Sequence, residues 1–228
     1  MLDVGGWAEV DPRADWVIDI GPFETRNWYR TLGQEIAGAE RVTAATWVRM
    51  DICSATPWPF ADDTFDYVIC SQTLEDVRDP IRVCAEIARV GKRGYVATPG
   101  PAIELTRGID SPHWCGWLHH RWIVEPTASG LSFLAKPHHI HSPLWPAVRS
   151  PRLLHPAAAA PLELEWAGGF TAEELILIGR DELDGHLAHI VRASARADRW
   201  GDAGRAAHAA ASLAYRGLRR AAGRISGR

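Results

Sequence analysis

The sequence predicts an α/β fold: a mostly parallel sheet with an antiparallel C-terminal hairpin and helices on both faces. Three observations carry this. Pro57–Pro99 reads as strand, helix, strand, and a β-helix-β unit implies parallel neighbours. Two earlier apolar runs, Trp16–Ile20 and Trp47–Ile52, each carry an acidic residue near the end, as strands reaching a ligand edge do. Leu162-Glu163-Leu164-Glu165-Trp166 alternates as a half-exposed strand, and Gly168-Gly169 turns toward Leu175–Ile178 as the return strand. The arrangement is Rossmann-like.

In chain order, Leu2-Asp3-Val4 forms the first core strand and Gly5-Gly6 its turn. The segment from Trp7 to Asp15 has no third glycine and little helical pattern, so a loop containing Asp11-Pro12 is expected. The chain reaches its first strand abruptly, which suggests either that an N-terminal cap is missing or that the native start lies upstream. Phe65–Cys70 is a short buried strand opened by an acidic turn. Asp79 can cap the next helix, with Pro80 in its first turn and Ile81, Cys84, Ile87, Ala88 and Val90 on one face. Gly91 and Gly94 bracket a turn into the strand Tyr95–Thr98, which Pro99-Gly100 ends. Trp122–Glu125 and Leu131–Leu134 pair around Ser129-Gly130 as a hairpin.

Length and charge set limits. The chain has 228 residues and a net charge of −3, enough for one α/β domain with additions and without the charge excess of a nucleic-acid binder. Only Lys92 and Lys136 are lysines; arginine carries nearly all the positive charge, in an alanine-rich composition of the kind a GC-rich genome encodes. Cys53, Cys70, Cys84 and Cys115 form no disulfide-like framework and suit a reducing interior. No signal peptide or integral membrane segment is legible, so a cytoplasmic protein is expected.

The wording of the central unit resembles class I S-adenosylmethionine-dependent methyltransferases, type 11-like. The matching residues are Pro59-Phe60, Phe65-Asp66, Val68, Cys70-Ser71, Leu74-Glu75, Asp79-Pro80, Glu86-Ile87 and Arg89-Val90. The resemblance spans roughly residues 1 to 125 and implies S-adenosylmethionine as cofactor. Asp3, Gly5 and Gly6 match the family's first motif in part, where glycine lets the backbone approach the ligand. Asp19 stands where the family places an acceptor for the ribose hydroxyls, with a solvated loop aspartate as the alternative. Asp51 and Ile52 stand beside the expected adenine, and Ser71-Gln72 follow the fourth strand into the cleft. Gln72 and Asp76 replace histidines common in the family, which moves the search for a base elsewhere. A nicotinamide-binding enzyme is the rival for these strands, but the opening lacks G-x-G-x-x-G.

The middle of the chain is rich in His and Trp. His119, His120 and Arg121 follow the fifth strand and are the candidate catalytic residues: an imidazole to take the acceptor's proton and a guanidinium fork to clamp it. His120-Arg121-Trp122-Ile123-Val124 also resembles a family pattern, and the competing reading is that His120 and Trp122 only anchor the hairpin. His113, His138, His139, His141 and His155 are nearby in sequence, but no paired ligand spacing supports a metal site, so none is expected.

Residues 1–180 are therefore read as a methyltransferase-like domain with a hairpin insertion at about 113–160, and 181–228 as a helical basic tail. Leu187, Ile190, Val191 and Ser194 line one helix; Ala207, Ala210, Ala211, Ala214 and Leu218 line a second, flanked by arginines. The tail suits a solvated or loosely docked helix, with weak contact to an anionic surface as the functional alternative. The expected function is S-adenosylmethionine-dependent O- or N-methylation of a small-molecule, sugar or lipid acceptor. The alternative is a catalytically inactive methyltransferase-fold module that binds a partner.

Overall fold

A computed structural model describes residues 1–32, 40–148 and 160–194. Its main sheet has six strands in the order β3-β2-β1-β4-β5-β8. These are β1 (Leu2–Val4), β2 (Trp16–Asp19), β3 (Trp47–Arg49), β4 (Val68–Ser71), β5 (Arg93–Pro99) and β8 (Pro161–Ala167). The first five run parallel and β8 closes the edge antiparallel to β5. The chain reverses direction across the sheet between β1 and β4, and an open parallel sheet has its ligand crevice at the carboxyl side of such a switch.

Between β4 and β5 runs α2 (Pro80–Val90), preceded by α1 (Trp28–Thr31) and followed by α3 (Pro101–Glu104). The start of α2 matches expectation: the Asp79 carboxylate accepts from the Arg82 amide at 3.0 Å and Pro80 occupies the first turn. Val83, Cys84, Ile87 and Val90 are buried against Leu2, Val4, Val68, Cys70 and Val96, each side chain contributing roughly 1–3 kcal/mol by burial.

Glu86 and Arg89, part of the motif-like phrase, prove structural. Glu86 accepts from the Trp58 amide at 2.7 Å and pairs with Arg89 at 2.7 Å, while Arg89 donates to the Phe60 carbonyl at 2.8 Å. Together they lock the 57–62 loop onto α2. Glu86→Ala strands the buried Trp58 amide and removes one of the acceptors of Arg89, so it should lower stability by about 1–3 kcal/mol, read from the urea midpoint at constant slope.

The second sheet differs from expectation. The hairpin β6 (Trp122–Pro126) and β7 (Gly130–Ala135) forms as expected, but its third strand is β9 (Thr171–Glu174), parallel to β7. Leu175–Ile178 was expected to return beside β8. Instead Gly168 and Gly169, at φ 70° and 110°, swing the chain off the main sheet, and the strand forms four residues earlier. Leu175 and Leu177 then pack on a second core with Leu105, Ile123 and Leu134, while Ile176 and Ile178 are exposed. A helix over residues 180–194 (α4) seals that core through Leu187 and Ile190. His155, the connection around it, and the expected second basic helix from Asp202 lie outside the described residues. Among the described residues no helix is long and apolar enough to cross a membrane.

Candidate functional site

Two clusters lie along the loop 72–79 that follows β4 at the carboxyl edge of the main sheet. The first is a pocket of about 340 Å³ at the ends of β1 and β4. Asp3, Gly5, Gly6, Ser71 and Gln72 line it together, five of the residues expected at the cofactor. The turn that opens it depends on glycine. Gly5 sits at φ 79° and its amide continues the ladder to the Ile18 carbonyl at 3.0 Å; any Cβ there would run into the Thr73 side chain. A Cβ on Gly6 would strike the Asp3 carboxylate.

No helix follows this turn, as expected for the sequence after Gly6; a loop does. The loop is fixed by polar bonds: the Asp11 amide to Asp3 Oδ2 at 2.9 Å, and the Val10 amide to Asn27 Oδ1 at 3.0 Å. Glu9, Asp11 and Tyr29 complete part of the lining. Burial under the loop pushes the Asp3 carboxyl up to about 7; the Asp11 amide opposes this, and the negative charges of Asp11, Asp19 and Glu9 add to it. The result is a small acidic pocket suited to a ligand that carries positive charge.

Asp19, Asp51 and Ile52 stand at or just beyond the ends of β2 and β3 but are not part of this lining. Both Asp19 oxygens already accept backbone amides, Trp7 at 3.0 Å and Gly21 at 2.6 Å, and burial raises its pKa. Asp51 pairs with Arg78 at 2.6 Å, which holds its carboxyl below the usual range. Ile52 is buried in the main core.

The second cluster gathers His119 and His120 with residues that sequence spacing did not join to them. The amides of Arg121 and Trp122 donate to the Glu75 carbonyl at 2.7 and 3.2 Å, and Trp122 Nε1 donates to the Val77 carbonyl at 2.8 Å. These bonds fasten the segment before β6 to the loop after β4. His120 Nδ1 lies 2.7 Å from Glu104 Oε1; Lys136 Nζ donates to Glu104 Oε2 at 2.6 Å and to the Trp117 carbonyl at 2.8 Å. The other ring nitrogen, His120 Nε2, lies 3.9 Å from Asp76 Oδ1, and His119 Nε2 lies 3.9 Å from Asp76 Oδ2. His120 is buried and His119 is exposed. Arg121 presents an exposed side chain whose charge helps hold Asp76 down, although burial outweighs it and raises the Asp76 pKa. Burial likewise pushes Glu75 up to about 8. The ring centroids of His119 and Trp117 are 6.1 Å apart.

Asp76, Glu104 and Lys136 were thus missed. Asp76 stands in the sequence only as a histidine replaced; Glu104 reaches His120 from 16 residues before it and Lys136 reaches Glu104 from 32 residues after, pairings that no local pattern reveals. His139 and His141 serve elsewhere. His139 Nε2 is 2.7 Å from Asp184 on α4, and His141 Nδ1 accepts from the Cys115 amide at 3.2 Å.

Residues 29–97 match the model of a methyltransferase domain. No curated protein sequence matches the chain. Similar solved structures include a putative methyltransferase of Haloferax volcanii in complex with the Trm112 methyltransferase activator, with 20% identity over 42% of this chain and 43% of that one, TM-score 0.30. A putative methyltransferase of Bacillus halodurans gives 21% over 43% and 44%, TM-score 0.31. An S-adenosylmethionine-dependent methyltransferase of Mesorhizobium loti gives 18% over 46% and 49%, TM-score 0.32. Each likeness spans less than half of the structure it matches.

Proposed function

We propose that the protein is an S-adenosylmethionine-dependent methyltransferase that binds its cofactor at Asp3, Gly5, Gly6, Ser71 and Gln72 and its acceptor beside His119, His120 and Arg121. The observation that carries this reading is the acidic, glycine-turned pocket at the switch point of the sheet. The cofactor supplies a methyl group on a cationic sulfur. Asp3, with Glu9 and Asp11 around it, offers the negative field that a sulfonium and an ammonium need. Asp19 and Asp51 occupy the same edge and accept the adenosine portion through lone pairs that their protein partners leave over, beside Ile52.

At the acceptor end, the bonds from Arg121 and Trp122 tie the histidine segment to the 72–79 loop, whose first residue, Gln72, lines the pocket. A hydroxyl or amine acceptor would be held there by Arg121, with its proton passing to His119 or His120, while the bound cofactor would supply the methyl group. The chain's share is to position the two reactants and to polarise the acceptor. Small molecules, sugars and lipids all fit that chemistry, and none involves nucleic acid.

A second reading, an inactive module that works by binding a partner, is favoured by the backbone bonds that already occupy both oxygens of Asp19. Titration calorimetry with S-adenosylmethionine and S-adenosylhomocysteine separates the two, and absence of heat at millimolar ligand sinks the enzyme. If binding occurs, Asp51→Ala and Asp19→Asn should each weaken it about 3- to 30-fold, the worth of one or two hydrogen bonds. Asp19→Asn must be checked for stability as well, because it also touches the Trp7 and Gly21 amides.

A further inference from the structure

We propose that Asp76, His119 and His120 form a binding site for one divalent first-row transition-metal cation. The three side chains come from two segments held together by backbone bonds, and one potential ligand atom of each lies within 4.8 Å of the other two. The two Asp76–imidazole gaps of 3.9 Å, one to each carboxylate oxygen, exceed by only half an ångström the separation of about 3.4 Å between ligands of a tetrahedral site with bonds of ~2.1 Å. Two neutral imidazoles and one carboxylate are a donor set of zinc, iron and cobalt sites.

Two features beyond proximity point to a cation. Asp76 Oδ1 is buried and has no hydrogen-bond partner among the described residues, although it faces His120. A buried carboxylate oxygen without a donor is costly, and a cation removes that cost. The second feature is the support behind His120. Its Nδ1 is held by Glu104, which is itself fixed by Lys136, so Nε2 is aimed at Asp76; a carboxylate orienting the distal nitrogen is the usual backing of a metal-bound histidine. Glu104 is thereby a positioning residue.

His119 is exposed, so a cation held by these three side chains would face solvent. It would take the oxygen or nitrogen of the acceptor as a further ligand and lower its pKa, so that a hydroxyl releases its proton to solvent and is presented as an alkoxide-like nucleophile. This last role rests on the methyltransferase reading; the binding of the cation does not.

Titration of the metal-stripped full chain with Zn²⁺, and with Co²⁺ followed by visible absorption, tests the site. One equivalent is expected to bind saturably. His119→Ala and Asp76→Asn, both at partly exposed positions and checked for folding by circular dichroism, should each weaken binding at least tenfold, and Glu104→Gln about 10- to 100-fold. His138→Ala and His141→Ala should leave it unchanged. Absence of saturable binding, or binding that survives the His119→Ala/Asp76→Asn pair, overturns the proposal. Cofactor calorimetry on the same preparations reports the methyltransferase reading separately.

Discussion

Glu104→Ala is expected to lower the stability of the protein by about 3–5 kcal/mol, because it leaves a buried ammonium without its anion. The Glu104 side chain is 1% exposed and Lys136 only 5%, and the two meet at 2.6 Å. Removing the carboxylate also frees His120 Nδ1. The loss is a large fraction of what a domain of this size has to spare. Lys136 donates to the Trp117 carbonyl as well, so the disturbance spreads to the 117–122 segment and to the hairpin that follows it. Glu104→Gln keeps the shape and one acceptor, and should cost clearly less. The Glu104→Leu/Lys136→Met pair, which removes both charges, should recover most of the loss. Urea midpoints for the four proteins decide it: a Glu104→Ala effect below about 1 kcal/mol would mean that the cluster is solvated and does not hold His120 in place.

How much of this was legible in the sequence depends on the range of the interaction. The strands expected at Leu2–Val4, Trp16–Ile20 and Phe65–Cys70, the Asp79 cap and the loop after Gly6 follow from local chemistry, and the structure places the strand bounds within three residues of expectation. The pairing of β9 with β7 does not follow: alternation marks 162–166 and an unbroken apolar run marks 175–178, and two glycines at positive φ decide which neighbour the chain reaches. The site divides in the same way. Five pocket residues sit in two short motifs on adjacent strands and were found together. The Asp76–His120–Glu104–Lys136 chain joins the end of α3, the segment before β6 and the end of β7, and depends on side chains meeting across the fold. Its residue types were visible, but not their meeting.

The affinity for S-adenosylmethionine should rise with pH and level off above neutrality, through Asp3. Burial pushes this carboxyl from 3.8 up to about 7, so below neutrality it is protonated in the free protein. A cationic ligand favours the ionised form, so binding below pH 7 expels a proton and is penalised by it. If only the ionised form binds well, the dissociation constant at pH 7.5 should be about 20-fold lower than at pH 5.5. Asp3→Asn removes the titrating group and should flatten the profile at weak affinity; a slope that survives the substitution would assign the proton to the ligand or another group. Stability runs the opposite way. The unfolded chain ionises Asp3 near 3.8 while the folded chain holds the proton to about 7, so this group's contribution falls as pH rises between those values and is constant above. The full difference is on the order of 4 kcal/mol, and Asp3→Asn should therefore stabilise the protein more at pH 8 than at pH 5. Thermal melts with and without cofactor across this range measure both effects on one protein.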